Sequence, residues 1–149
     1  LILMRLTRFT DYSLRVLIYL GQNDQNRVTI SQISESYNIS KNHLMKVVSN
    51  LTRLQFVSAQ RGPGGGIQLN QMPENISLNE VIKNTEKHLK ASEEVCSEPQ
   101  DSTADTRLQS YLQTAMQAYL DALGRFTLAD VLEPESEATQ LLELNEKAA

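Results

Sequence analysis

Thr29-Ile30-Ser31-Gln32-Ile33-Ser34-Glu35-Ser36-Tyr37-Asn38-Ile39-Ser40-Lys41-Asn42-His43-Leu44 contains two helix starts within twelve residues. Thr29 through Gln32 fits the capping box, in which a hydroxyl takes the amide of the third helical residue and a Gln side chain reaches back. Ile30, Ile33 and Tyr37 then share one face, which predicts a short helix. It should end near Asn38, a residue that tolerates left-handed backbone. Ser40 is placed to cap the next helix, where Leu44, Val47, Val48, Leu51 and Leu54 recur at helical spacing. Two short helices joined by Tyr37-Asn38-Ile39-Ser40 have helix-turn-helix dimensions.

Working outward, Leu14, Leu17 and Ile18, widened by Val16 and Leu20, predict a helix over 9–21 with Thr10 as its N-cap. Gly21 and the polar run 22–27 end it. After Phe56 the period changes to two. Val57 and Ala59 alternate with Ser58 and Gln60, and Ile67 and Leu69 with Gln68 and Asn70. Arg61-Gly62-Pro63-Gly64-Gly65-Gly66 lies between them, so this is a hairpin with a glycine-rich tip. The fold expected is mainly α with a small β-hairpin: a winged helix-turn-helix. Ser77-Leu78-Asn79-Glu80 is a second capping box, opening a short helix through about residue 85. Residues 87–103 are polar and predict a loop. From 104 to 125 the apolar residues, among them Leu108, Tyr111, Leu112, Met116 and Leu120, cover more than one side of a long helix, which calls for a partner helix. Thr127-Leu128-Ala129-Asp130 predicts a short final helix. The expected organisation is a winged helix-turn-helix domain over 4–86, a loop over 87–103, a long helix and short final helix over 104–132, and an acidic tail over 133–149.

The chain has 149 residues, 40% hydrophobic and 21% charged, the composition of one soluble domain or one domain with an appendage. No apolar run approaches the roughly 18 residues of a membrane span. One cysteine, Cys96, excludes an intrachain disulfide framework and an all-cysteine zinc site. Leu1-Ile2-Leu3, ahead of Met4, is too short for the apolar region of a signal peptide, so a cytoplasmic protein is expected. The net charge of −4 hides a split. Residues 1–70 carry eight basic and three acidic side chains, and residues 71–149 carry six and fifteen. A basic half holding a helix-turn-helix is a nucleic-acid signal.

The outward positions of the third helix are Lys41, Asn42, His43, Lys46, Ser49, Asn50 and Arg53. Ser40, Asn42 and His43 fall in its first turn, where a recognition helix reaches base edges. Asn42 and His43 are the candidate base contacts, and Lys41 and Lys46 the candidate phosphate contacts. Gly64 and Gly65 let the hairpin backbone approach a strand, and Arg61 beside them suits the negative potential of a minor groove. Arg5, Arg8 and Arg15 are further phosphate candidates or ion-pair partners of Asp11 and other acids.

Four segments together resemble the IscR/NsrR family of bacterial winged-helix regulators, its NsrR-like members most. They are Met4-Arg5-Leu6-Thr7-Arg8-Phe9-Thr10-Asp11-Tyr12, Ser40-Lys41-Asn42-His43-Leu44, the glycine-rich tip 61–66, and Phe126-Thr127-Leu128-Ala129-Asp130, in the family's order over residues 4–132. The resemblance implies a homodimer joined through the long helix, binding an inverted repeat in double-stranded promoter DNA as a repressor. It also implies a sensor: in NsrR-like members three loop cysteines and an aspartate, matching Asp11 of the other subunit, hold an iron–sulfur cluster that nitric oxide attacks. This chain departs there. Only Cys96 is present, with Ala91, Ser102 or Thr106 near the places of the others. No cofactor is expected, and a cluster would need non-cysteine ligands beside Cys96. The chain is either a clusterless relative or one whose ligands have been replaced. Cys96 remains open as a thiol sensor, a remnant ligand or an inert residue, although Glu93, Glu94 and Glu98 disfavour its thiolate.

Two other function classes stand beside the regulator. One is a clusterless thiol- or partner-responsive form, or a winged helix that binds proteins only. The other, an enzyme, finds little support: His88 and Cys96 lack a third group to complete a triad. Gly62–Gly66 is not a phosphate loop, since no Lys-Ser/Thr follows it. An enzyme is not expected.

Overall fold

A computed structural model describes residues 6–87, 89 and 103–133. The elements are α1 (Arg8–Gln22), α2 (Ile30–Tyr37), α3 (Lys41–Arg53), β1 (Val57–Gln60), β2 (Gly66–Leu69), a 3-10 turn (Pro73–Asn75), α4 (Leu78–Thr85), α5 (Thr103–Leu123) and α6 (Leu128–Leu132). It is the mainly helical winged helix with a two-stranded hairpin that the patterning predicts.

Helix α1 begins earlier than its sequence signal. Thr7, not Thr10, is the N-cap, and its hydroxyl accepts the Thr10 N–H at 3.3 Å. Thr10 is buried inside the first turn. The cap is itself held from elsewhere: Glu86, buried just after α4, accepts the Thr7 N–H at 2.7 Å and its hydroxyl at 3.1 Å. A carboxylate at a helix N-terminus satisfies orphan donors and complements the helix dipole.

Both halves of the Thr29 capping box form, with Gln32 N–H to Thr29 Oγ1 at 3.3 Å and Thr29 N–H to Gln32 Oε1 at 2.8 Å. Asn38 ends α2 in the left-handed conformation at φ 52°. Ser40 then caps α3. Val16, Leu17 and Leu20 of α1, Ile33 of α2, and Leu44, Val47 and Leu51 of α3 fill one core. The apolar stripe of each helix is thus turned inward, leaving the opposite face of α3 to solvent.

Strands β1 and β2 pair antiparallel, with Val57 opposite Leu69 and Gln60 opposite Gly66. A bridge between Val28 and Ile67, with N–H···O distances of 2.9 and 2.8 Å, ties the hairpin to the segment before α2.

Ser77 stands at the N-cap of α4, but its side chain makes no capping hydrogen bond. Its backbone instead bridges to Thr127. That bridge belongs to a seam in which Leu128 N–H bonds Ile76 O at 2.8 Å and Leu78 N–H bonds Phe126 O at 3.1 Å. Helix α6 is thereby laid against α1 and the 3-10 turn, with Leu128 and Ile76 buried. Asp130 Oδ2 reaches back to its start, accepting the Thr127 N–H and hydroxyl at 2.6 and 2.9 Å.

Among the described residues, helix α5 packs against α4, and Leu120 near its C-terminal end is buried. Farther up, Leu108, Tyr111 and Leu112 are 56%, 67% and 62% exposed. All of the expected acidic tail over 133–149 except Glu133, and most of the expected loop over 87–103, lie outside the described residues.

Candidate nucleic-acid interface

Burial of Leu44, Val47, Val48 and Leu51 fixes the rotation of α3. Lys41, Asn42, His43, Lys46 and Ser49 are therefore all exposed on one outer face. At the start of that face the Ser40 hydroxyl accepts the His43 N–H at 3.4 Å and lies 2.9 Å from His43 Nδ1. The Tyr12 ring of α1 stands 6.0 Å from the His43 ring, tilted by 42°. The candidate base contacts and the lysines are thus brought together on one helix.

Met45 was not among the sequence candidates, yet it is 58% exposed in the middle of this face. With Lys46, Ser49, Asn50 and Arg53 it lines a shallow groove. Arg53 donates to Asn50 Oδ1 at 2.7 Å, while Asn50 Nδ2 is buried without a hydrogen bond. The available signal was that Met45 interrupts the polar outer positions without belonging to the core stripe. An apolar side chain there suits a thymine methyl group.

Arg61 is exposed at the start of the wing tip. The glycines behind it are demanded by the turn. Gly62 and Gly64 have φ of 92° and 71°, where a side chain strains the backbone. A Cβ on Gly65 would overlap the Gln60 carbonyl oxygen and stand 2.7 Å from that of Gly62. The same lack of side chains leaves the tip thin enough to approach a nucleic-acid backbone closely.

The angle between α3 and the wing is set by residues that the sequence did not flag. Gln55 has a φ of 63°, and its carbonyl accepts Asn70 Nδ2 at 3.0 Å and Gln71 Nε2 at 3.2 Å. A non-glycine residue held left-handed costs roughly 1–2 kcal/mol, which two side-chain amides offset here by fastening the base of the hairpin.

Asp11, in the first turn of α1, is paired with Arg15 at 2.9 Å. Arg15 also lies over the Tyr37 ring, 5.5 Å from its centroid. Arg8 is exposed. Arg5, His88 and Cys96 lie outside the described residues. The donor set does not fit an ordinary iron–sulfur cluster, which takes four ligands, mostly thiolates. The chain has one cysteine, and Asp11 is engaged by a guanidinium. Among the described residues no group of three His, Cys, Asp or Glu side chains is placed to hold a metal ion. No helix among them is long and apolar enough to cross a membrane.

Residues 6–134 match the Rrf2 family, described as "Iron-dependent Transcriptional regulator". The HTH-type transcriptional regulator NsrR of Bacillus licheniformis is 42% identical over 142 residues, covering 93% of this chain and 99% of that protein. Its namesake in Bacillus subtilis is 40% identical over 156 residues, covering 96% and 100%. Among solved structures, T. potens IscR superposes with a TM-score of 0.72 at 22% identity, covering 91% of this chain and 90% of the other.

Proposed function

The chain belongs to the Rrf2 family and is a DNA-binding transcription regulator, not an enzyme; on that premise we propose that it is a cytoplasmic homodimer that represses by binding an inverted repeat in promoter DNA. The observation that carries this reading is the outer face of α3. It offers Asn42 and His43 in the first turn, flanked by Lys41 and Lys46, beside a thin wing headed by Arg61. Asn42 and His43 read base edges in the major groove. Lys41 and Lys46 take phosphates, and Arg61 enters the minor groove with Gly64 and Gly65 against the strand. Residues 4–86 do this work, and α5 joins two copies through the face carrying Leu108, Tyr111 and Leu112, which is apolar and uncovered in the single chain.

Selection from a randomised duplex library by the full-length protein tests the reading. The expected product is an inverted repeat bound at least about 1,000-fold more tightly than random sequence. Equal affinity for all duplexes contradicts it and favours a winged helix that binds proteins.

By kinship the regulator is of the iron–sulfur- and nitric-oxide-responsive type, while its own donors depart from that sensor. With one thiol per chain, we expect protein purified without oxygen to be colourless and free of iron, and its signal to arrive by Cys96 or a protein partner. An ultraviolet–visible spectrum with iron and sulfide assays decides. Stoichiometric iron and sulfide would establish non-cysteine ligands beside Cys96, with Asp11 as the first to test.

A further inference from the structure

The geometry points to Ser40 as the residue that fixes the proton of His43, leaving Nε2–H as an outward donor that reads a purine acceptor edge. The inference rests on the DNA-binding reading above and specifies what one of its side chains recognises.

A serine hydroxyl has one hydrogen to give and lone pairs to accept with. The Ser40 oxygen accepts the His43 backbone N–H at 3.4 Å, the bond that caps α3. The same oxygen lies 2.9 Å from His43 Nδ1. Giving its hydrogen to Nδ1 lets Ser40 use both its lone pair, on the cap, and its one O–H within the same pair. The nitrogen that accepts a hydrogen bond is the unprotonated one, so the ring proton sits on Nε2. The Tyr12 ring, 6.0 Å away, flanks the imidazole on the α1 side. His43 is exposed in the first turn of α3, the part of a recognition helix that contacts base edges. A lone donor at this place matches the N7 acceptor of a purine and is mismatched to the cytosine amino group. Ser40 is therefore a positioning residue: it caps the helix and selects the edge that His43 can read.

Two measurements on the full-length protein test this. The first needs no DNA: long-range proton–nitrogen correlation spectra of the His43 ring at about pH 9, where an imidazole is neutral. Wild type is expected to show a protonated Nε2 and a bare Nδ1. Ser40→Asp keeps a good N-cap but can only accept from Nδ1, and is expected to reverse the pattern. A protonated Nδ1 in wild type, or no change in Ser40→Asp, overturns the inference.

The second replaces purines one at a time by 7-deazapurines in the duplex recovered by selection. One position per half-site is expected to cost wild type about tenfold in affinity, the loss of a single base hydrogen bond, and to cost His43→Ala nothing further. Selective binding with no position coupled to His43 overturns this inference alone. Failure to recover any preferred duplex overturns the DNA reading and this inference together.

Discussion

Asn42, His43 and Lys46 stand exposed as the sequence predicts because the third helix has a clean apolar stripe, and the inward residues fix which ones face out. Met45 was legible too, as an apolar residue outside the core stripe, but Gln55 was not: a left-handed glutamine at the base of the hairpin is a tertiary property with no local signal. The glycines of the tip show a different limit: their number signalled function, while their backbone angles show that the turn itself requires them. Gly65→Ala is therefore expected to displace the tip, because its Cβ would overlap the Gln60 carbonyl. Faster hydrogen exchange of the wing amides with little change in the amides of α1 would show this, and unchanged wing exchange would refute it. Lys46→Ala is expected to weaken binding to every duplex alike and to lower the slope of log affinity against log salt by about one. A sequence-selective loss would make Lys46 a base reader instead.

The element scale is taught by three copies of one motif. Thr29, Ser77 and Thr127 each precede a Gln, Glu or Asp three residues on, and all three open a helix. The box at Thr29 closes and Asp130 reaches back to Thr127, whereas Ser77 makes no side-chain cap and the first amide of its helix, Leu78 N–H, is taken by Phe126 O across the seam. Local sequence locates the helix start, and long-range pairing decides how its amides are satisfied. Thr29→Ala is accordingly expected to cost about 1 kcal/mol and Ser77→Ala close to nothing, as read by chemical denaturation. The Thr127 box carries a pH signature. The Thr127 N–H, and then its hydroxyl, hold the Asp130 carboxyl below its ordinary range. A group with a depressed folded value adds stability above its unfolded pKa of about 4, and that contribution drains as pH falls through the folded value. Asp130→Asn should flatten the acid limb of the stability profile below about pH 4 and leave its shape at neutral pH unchanged. A profile parallel to wild type in acid would contradict the role given to the carboxylate.

At the scale of the whole molecule, the long helix, apolar on more than one side, is the feature that calls for a partner helix. Helix α5 buries Leu120 and leaves Leu108, Tyr111 and Leu112 exposed. Leu112→Glu is expected to shift sedimentation from dimer to monomer and, with it, to lower affinity for an inverted repeat far more than for a single half-site. A dimer that survives this change would place the interface elsewhere. What the sequence could not convey is how firmly the last helix belongs with the first: Leu128 and Leu132 close over α1, and that partnership spans more than a hundred residues of chain. Central to the proposed function is that α3 and the wing, braced by Gln55, Asn70 and Gln71, read DNA as one surface. The most direct test is the affinity of wild type and Arg61→Ala for the selected duplex and for random sequence at one salt concentration. Arg61→Ala should lose roughly 1–3 kcal/mol on the selected duplex and much less on random sequence, narrowing the ratio between them. Equal affinities of the two proteins on both duplexes would contradict the claim that the wing takes part in reading DNA.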